Sequence, residues 1–281
     1  MGKIAVHLHL FYREQLDDLL SQLQNLAEYP YDLYVTMIEE NAEVKQKILA
    51  FKSDTKIWIL PNLGYDVGPF IDFLHKINLD EYDYIIKIHT KRAKSGSYCI
   101  FNRRRFDMKT WRAMLLEALI SRSAIENNLR LLTQNDKIGM IGSYYVLTDE
   151  KCAYQNVMSQ IEAEMAKIKM EIPEDKHFVA GTMFWVRAKL LKPFLVYKLE
   201  DFAASEGQTH DGTLAHVIER MFGLVITAQG YQVIGVFYKK YLLNRFIASF
   251  KRFIFQRKLT RQGNEIIKIC KIPIYHRKEK V

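Results

Sequence analysis

Asn62, Gly64, Asp66 and Gly68 follow one apolar run, Ile57 to Leu60. His89, Thr90, Lys91 and Arg92 follow another, Tyr84 to Ile88. The first group offers an amide, a carboxylate and two small residues. The second offers an imidazole and two cations. Amides and carboxylates suit the hydroxyls of a sugar or nucleoside. Lys and Arg suit phosphate, as a point charge and as a bidentate fork. In an open α/β sheet, ligands bind outside the carboxyl ends of the strands. If the apolar runs are strands, both groups stand at such ends and form the floor of an active site. Plainer readings stay open beside this one. Asp66 could cap a helix beginning near Pro69, and Lys91-Arg92 could be a solvated basic turn.

The flanking residues supply the elements that must hold these groups. Lys3 to Leu10 is apolar and β-branched enough to be a first strand, and Glu14 to Leu26 carries Leu16, Leu19, Leu20, Leu23 and Leu26 at helical spacing. Tyr31 to Met37 reads as a strand, Asn41 to Phe51 as a helix, Lys56 to Leu60 as a strand and Phe70 to Ile77 as a helix. Four alternations of β and α predict a parallel sheet with right-handed crossovers. Further on, Thr110 to Ile120 and Ser123 to Leu132 read as helices, and Lys137 to Leu147 as a strand. Tyr154 to Met170 is a helix by its spacing. Phe178 to Val186 is a strand broken by Gly181, and Leu224 to Ala228 and Gln232 to Val236 are late strands.

Three scattered cysteines (Cys99, Cys152, Cys270) without a CxxC pair argue against a disulfide framework or zinc knuckle, and fit a reducing compartment. No secretory signal is read at the start, and no apolar window reaches the ~18 residues of a membrane span. The net charge of +9 is unevenly placed. Residues 239–281 hold thirteen Lys or Arg against two Glu, while residues 1–238 hold 28 basic and 30 acidic residues. A near-neutral body disfavours nucleic acid as the partner. A basic tail on such a body suits an anionic surface. From Tyr241 to Leu259 the tail has Leu242, Phe246, Phe250, Phe253 and Ile254 at helical spacing with cations between them. That pattern predicts a basic amphipathic helix lying on a membrane. Its alternative is an ordinary helix packed on the body.

Other residues are candidates of lesser weight. His7 and His9 alternate along the first strand and share a face; His7 reads as a core histidine, and His9 is placed to reach a nucleotide. Gly181, with Thr182 after it, interrupts a strand, which often marks close approach of a ligand or backbone.

The segments HLHLFY, NLGYDVGPF, YIIKIHTKR, FVAGTMFWVRA and THDGTLAHVIER resemble the rhamnan synthesis protein F family over residues 3–236. The resemblance implies a glycosyltransferase of bacterial surface-polysaccharide assembly with an α/β, GT-A-like fold. That fold is a single αβα unit with a mostly parallel sheet and a nucleotide-sugar site at the carboxyl ends of its first strands. It implies a nucleotide-diphosphate sugar as donor, with rhamnose the candidate sugar, and a growing lipid-linked glycan of O-antigen, capsule or rhamnan type as acceptor. It also implies a peripheral place on the cytoplasmic face of the membrane, beside other glycosyltransferases. Donor contacts fall to His9, Asn62, Gly64, Asp66, Gly68, Arg92, Gly181 and Thr182. Lys91 and His89 fall at the diphosphate, Asp211 in the place of the base, and His210 and Glu206 at the acceptor or as alternative bases. The sequence departs from most GT-A enzymes at one point: His89-Thr90-Lys91 stands where an Asp-x-Asp would hold Mg2+ or Mn2+. Two expectations follow. Either Lys91 and Arg92 neutralise the diphosphate without a metal, or a metal is held by His89 with His210 or His216. The rival from another class is a non-catalytic, membrane-associated module that kept the fold and lost the metal motif.

Overall fold

The computed structural model describes residues 2–91, 98–101, 104–149, 153–154, 157–204, 212–237, 250, 254–259, 265–270 and 272–277. Two units result, residues 1–237 and 238–281. In the first, the alternation read from the sequence is present: β1 (Ile4–Leu10), α1 (Leu16–Leu23), β2 (Tyr31–Met37), α2 (Ala42–Phe51), β3 (Lys56–Ile59), α3 (Val67–Lys76) and β4 (Tyr84–His89). There follow a hairpin of β5 (Tyr98–Phe101) and β6 (Arg104–Asp107), then α4 (Met108–Ile120), α5 (Arg122–Gln134) and β7 (Ile138–Ser143). The remainder is β8 (Leu147–Thr148), α6 (Met158–Lys167), β9 (Phe178–Val179), β10 (Phe184–Arg187), α7 (Leu214–Ala228) and β11 (Gln232–Val236).

Seven strands form the main sheet in the order β3-β2-β1-β4-β10-β7-β11. Every pairing is parallel except those of β10, which runs antiparallel to both β4 and β7. β1 lies near the middle and is buried at all seven positions, as a strand covered on both faces must be. Successive residues of β10 show the layering, because side chains alternate across a strand. Phe184 packs on Phe70 of α3 and Phe222 of α7. Trp185 points the other way, and its indole N–H donates to Leu119 O of α4 at 3.0 Å. The sheet therefore has helices on both faces.

Two expected strands differ. Leu224 to Ala228 is the last part of α7, not a strand. Its apolar run reflects a helix buried nearly all round, where Phe222, Leu224, Val225 and Ile226 are all covered. Phe178 to Val186 divides at Gly181 into β9, which pairs with β8, and β10 of the main sheet.

The second unit contains β12 (Phe255–Leu259), β13 (Glu265–Ile269) and β14 (Ile272–Arg277), an antiparallel three-stranded sheet. The helix expected over 241–259 is thus corrected at its end: residues 255–259 are strand, and 241–249 and 251–253 lie outside the described residues. The β-branched runs EIIKI and IPI supply paired partners that local helical spacing could not reveal.

Gly68 shows how tightly the turn before α3 is packed. A Cβ there would lie 2.1 Å from Leu63 O. Gly68→Ala is expected to cost about 1–3 kcal/mol by overpacking, read as a lower urea midpoint with an unchanged slope.

Candidate functional site

The carboxyl ends of β1, β3 and β4 carry the candidate residues to one edge of the sheet. On β1 and β4, His7 is opposite Lys87 and His9 opposite His89. All four share the face toward α3, because His7 stacks on Phe73 and Lys87 lies over the Phe70 ring at 5.3 Å. Thr36 of β2 joins the row. Its hydroxyl is 3.0 Å from His7 Nε2 and 3.0 Å from His9 Nδ1. His7 is the core histidine expected, and His9 is only 3% exposed.

An open cleft of about 210 Å3 lies above this row, lined by Tyr65, Asp66, Lys91, Thr182, His216 and Glu219 among others. Asp66 is the N-cap residue of α3, but its side chain caps nothing. It reaches instead to Lys87 Nζ, 2.5 Å from Oδ2, and accepts from the Thr182 hydroxyl. The capping alternative is therefore set aside. Lys87 also donates to Thr182 Oγ1 at 2.8 Å and to Thr182 O at 3.0 Å. Gly181 and Thr182 both have positive φ, 82° and 51°, and Tyr65 has φ 55°. A β-branched or aromatic residue in that region is strained by about 1–3 kcal/mol and persists where its surroundings over-determine it. Two such residues border one cleft.

Lys91 is set by its main chain. Gln15 Nε2 donates to Lys91 O at 2.7 Å, and Gln15 Oε1 accepts from Lys91 N at 3.2 Å. Thr90 serves the neighbouring loop, accepting from the N–H groups of Phe11 and Tyr12 at 2.9 and 3.0 Å. With Gly181 lacking a side chain, the Lys91 ammonium can lie close over the turn: a Cβ at Gly181 would be 3.4 Å from Lys91 Nζ. Glu219 of α7 holds the same turn from the other side, accepting from Gly181 N at 2.7 Å and from Arg220 Nη1 at 3.1 Å.

His89 lies beneath the cleft. Its Nε2 is 2.9 Å from Gly181 O and 3.6 Å from Asp66 Oδ2, and its Nδ1 is 3.0 Å from Thr90 O. Burial pushes the imidazole down to about 4, against the pull of Asp66. A neutral ring can donate to only one of these two carbonyls, so its hydrogen bonding favours the charged form while its burial favours the neutral one. Burial likewise pushes His9 down to about 3 and His7 well below its ordinary value. Burial alone would raise the Asp66 carboxyl, but His89, Lys87 and Lys91 hold it well below the usual carboxylate range. Where the His89 ring is neutral, the two lysines carry that effect.

The glycines have packing reasons. Gly64 has φ 67°, and a Cβ would meet Phe202 at 2.6 Å; it and Gly68 are buried. Asn62 is in the turn before the cleft and is not among its lining residues. Arg92, Glu206, His210 and Asp211 lie outside the described residues. Lys87, Glu219, Gln15 and Tyr65 were not singled out from the sequence. Lys87 had a signal: a lysine inside an apolar strand must find an anion.

A divalent cation does not fit the described donors. Both His89 ring nitrogens face main-chain carbonyls, and Asp66 Oδ2 is paired with Lys87. His216 Nδ1 is 2.8 Å from the Thr213 hydroxyl. Among the described residues, no three His, Cys, Asp or Glu side chains converge as ligands.

The sheet order, the layers and the edge cleft define an α/β protein of GT-A-like architecture. Residues 1–231 match rhamnan synthesis protein F, and the chain belongs to that family. The protein WxcX of Xanthomonas campestris pv. campestris (strain B100) is 25% identical over 235 residues, 83% of this chain and 32% of that protein. The chain thus spans about a third of the length of that relative. Among solved structures, S. aureus TarS in complex with UDP is 10% identical with a TM-score of 0.46, covering 88% of this chain and 64% of that one. Glucosyl-3-phosphoglycerate synthase from Mycobacterium tuberculosis, in complex with Mn2+ and UDP, is 8% identical with a TM-score of 0.41, covering 99% and 90%.

The buried histidines fix a pH dependence of stability. Unfolded histidine titrates near 6.5, whereas His7, His9 and His89 stay neutral in the fold well below that. Between about pH 6.5 and 4 the unfolded chain therefore binds more protons, and stability falls as pH falls. The slope approaches about 1.4 kcal/mol per pH unit for each ring. Asp66 adds no slope there, because its effect is complete above the unfolded carboxylate value. Urea unfolding at pH 7.5 and 5 should show the loss, and equal stabilities would contradict it.

Proposed function

We propose that this chain is a glycosyltransferase domain. It would move a sugar from a nucleoside diphosphate donor to a lipid-linked bacterial surface polysaccharide, with rhamnose the sugar to which the family name points. The observation that carries the reading is the convergence of Asp66, Lys91 and Thr182, from three separate segments, around one cleft at the carboxyl edge of the sheet.

In the proposed reaction the bond from the anomeric carbon to the diphosphate oxygen breaks, and a bond to an acceptor oxygen forms. Negative charge collects on the departing diphosphate. Lys91, with Arg92 next to it in sequence, meets that charge, and such stabilisation counts most where charge develops. Asp66 and Thr182 take donor hydroxyls, and His9 and His89 support them from below. Asn62, Gly64 and Gly68 shape the turn that presents Asp66. The acceptor hydroxyl loses its proton to Asp211, with Glu206 and His210 as alternatives. Glu219 is less suited as base, because both its oxygens are already engaged. The basic residues 239–281 would hold the domain on an anionic membrane surface, at the cytoplasmic face. No helix among the described residues is long and apolar enough to cross a membrane.

One feature favours the rival reading, a non-catalytic module: the fourth strand ends without an acidic pair. Binding separates the two. A melting panel of nucleoside diphosphates and nucleotide sugars, with Mn2+, Mg2+ or EDTA, should show a selective rise that persists in EDTA. At ~100 times the dissociation constant the gain is ~2.7 kcal/mol. Lys91→Ala should weaken the selected ligand about tenfold or more, since a charged hydrogen bond contributes about 1.5–3 kcal/mol. No rise with any donor would favour the non-catalytic module.

A further inference from the structure

Lys87 is the most buried charge near the cleft, with its side chain 1% exposed. An ammonium has three hydrogens to donate, and all three are used: Asp66 Oδ2 at 2.5 Å, Thr182 Oγ1 at 2.8 Å and Thr182 O at 3.0 Å. Stability alone is a weak reason for such a group. A buried ion pair can often be replaced by apolar side chains with little loss or a gain. What the lysine does hold is geometry. It joins β4 to the turn before α3, through Asp66, and to the strained turn between β9 and β10, through Thr182. Thr182 keeps φ 51° with its carbonyl and hydroxyl both bound to this ammonium. Asp66 uses Oδ2 for the whole network. Its Oδ1 accepts from none of the described residues, and the side chain is 18% exposed at the cleft wall.

We propose that Lys87 is a positioning residue, which from beneath the cleft fixes Asp66 and the Gly181–Thr182 turn so that Asp66 Oδ1 accepts a hydroxyl of the bound donor. This rests on the donor-site reading of the cleft. Asp66 then acts by recognition and not by proton abstraction, because the surrounding cations make it a weak base. The groups facing Asp66 are Lys87, His89 and Lys91 from β4 and its end and Thr182 from the turn, with His9 on β1 and Glu219 on α7 nearby.

Lys87→Met keeps the volume and removes the charge. The Asp66 carboxyl would be followed by 13C NMR from pH 4 to 8 in the ligand-free protein. In the wild type it should stay ionised throughout. In Lys87→Met its midpoint should rise into that range, since burial is no longer offset. Calorimetry with UDP, GDP and dTDP at pH 8 and 5.5 gives the second readout. Wild-type affinity for the preferred probe should change little with pH through Asp66, whereas Lys87→Met should lose about tenfold more at pH 5.5 than at pH 8. A merely structural lysine would lower affinity equally at both. That result, or identical carboxyl titrations, would overturn the proposal. If Lys87→Met does not fold, the neutral pair Asp66→Asn with Lys87→Met serves. It should fold and bind the probe at least tenfold more weakly, and wild-type affinity in it would refute the role. If the wild type binds none of the three probes, the donor-site reading fails, and the carboxyl titration still decides whether Lys87 governs Asp66.

Discussion

A lysine ammonium enclosed by a β-sheet and two phenylalanine rings needs an anion at hydrogen-bonding distance. In this protein the anion is Asp66, and meeting that requirement shapes much of the cleft. Asp66 leaves its capping duty on α3. Thr182 takes a left-handed conformation that puts its hydroxyl and carbonyl on the same ammonium. Gly181 then brings its carbonyl to His89 and its N–H to Glu219. Three segments distant in sequence are fixed by one charge on the central strand β4.

The sheet brings these groups to its edge. β1 and β4 are in register, so the polar row His7–Lys87 and His9–His89 runs beneath the cleft. Thr36 on β2 ties the histidines together, and Thr90 and Gln15 tie the loops beyond. The result is a floor of neutral imidazoles and one ion pair, with the Lys91 cation above it. This arrangement does not resemble a carboxylate cage for a hard cation, which requires several oxygen ligands.

Much of the fold could be read from the chain because its signals are local. The leucine spacing of α1 and the β-branched runs of β1 to β4 follow the two periods of helix and strand. Asp66, Lys91, Gly181 and Thr182 also stood out, as polar or glycine residues ending or breaking apolar runs. What could not be read depends on partners far away in sequence. Lys87 looked like part of a strand until Asp66 and Thr182 were placed against it. Nothing in the local sequence sets Glu219 apart, because its partner, the Gly181 N–H, is 38 residues away. The Leu224–Ala228 run mimicked a strand because burial on all sides erases helical periodicity. The end of the expected tail helix became a strand through pairing with residues further on.

In the proposed function a donor is held between Lys91 and Asp66. The most direct measurement is a crystal structure of the protein with the nucleoside diphosphate that stabilises it most. The diphosphate is expected against Lys91, and a ligand hydroxyl within about 3 Å of Asp66 Oδ1, with the Lys87–Asp66 pair intact. A nucleotide bound elsewhere, or one that displaces Asp66 from Lys87, would contradict this arrangement.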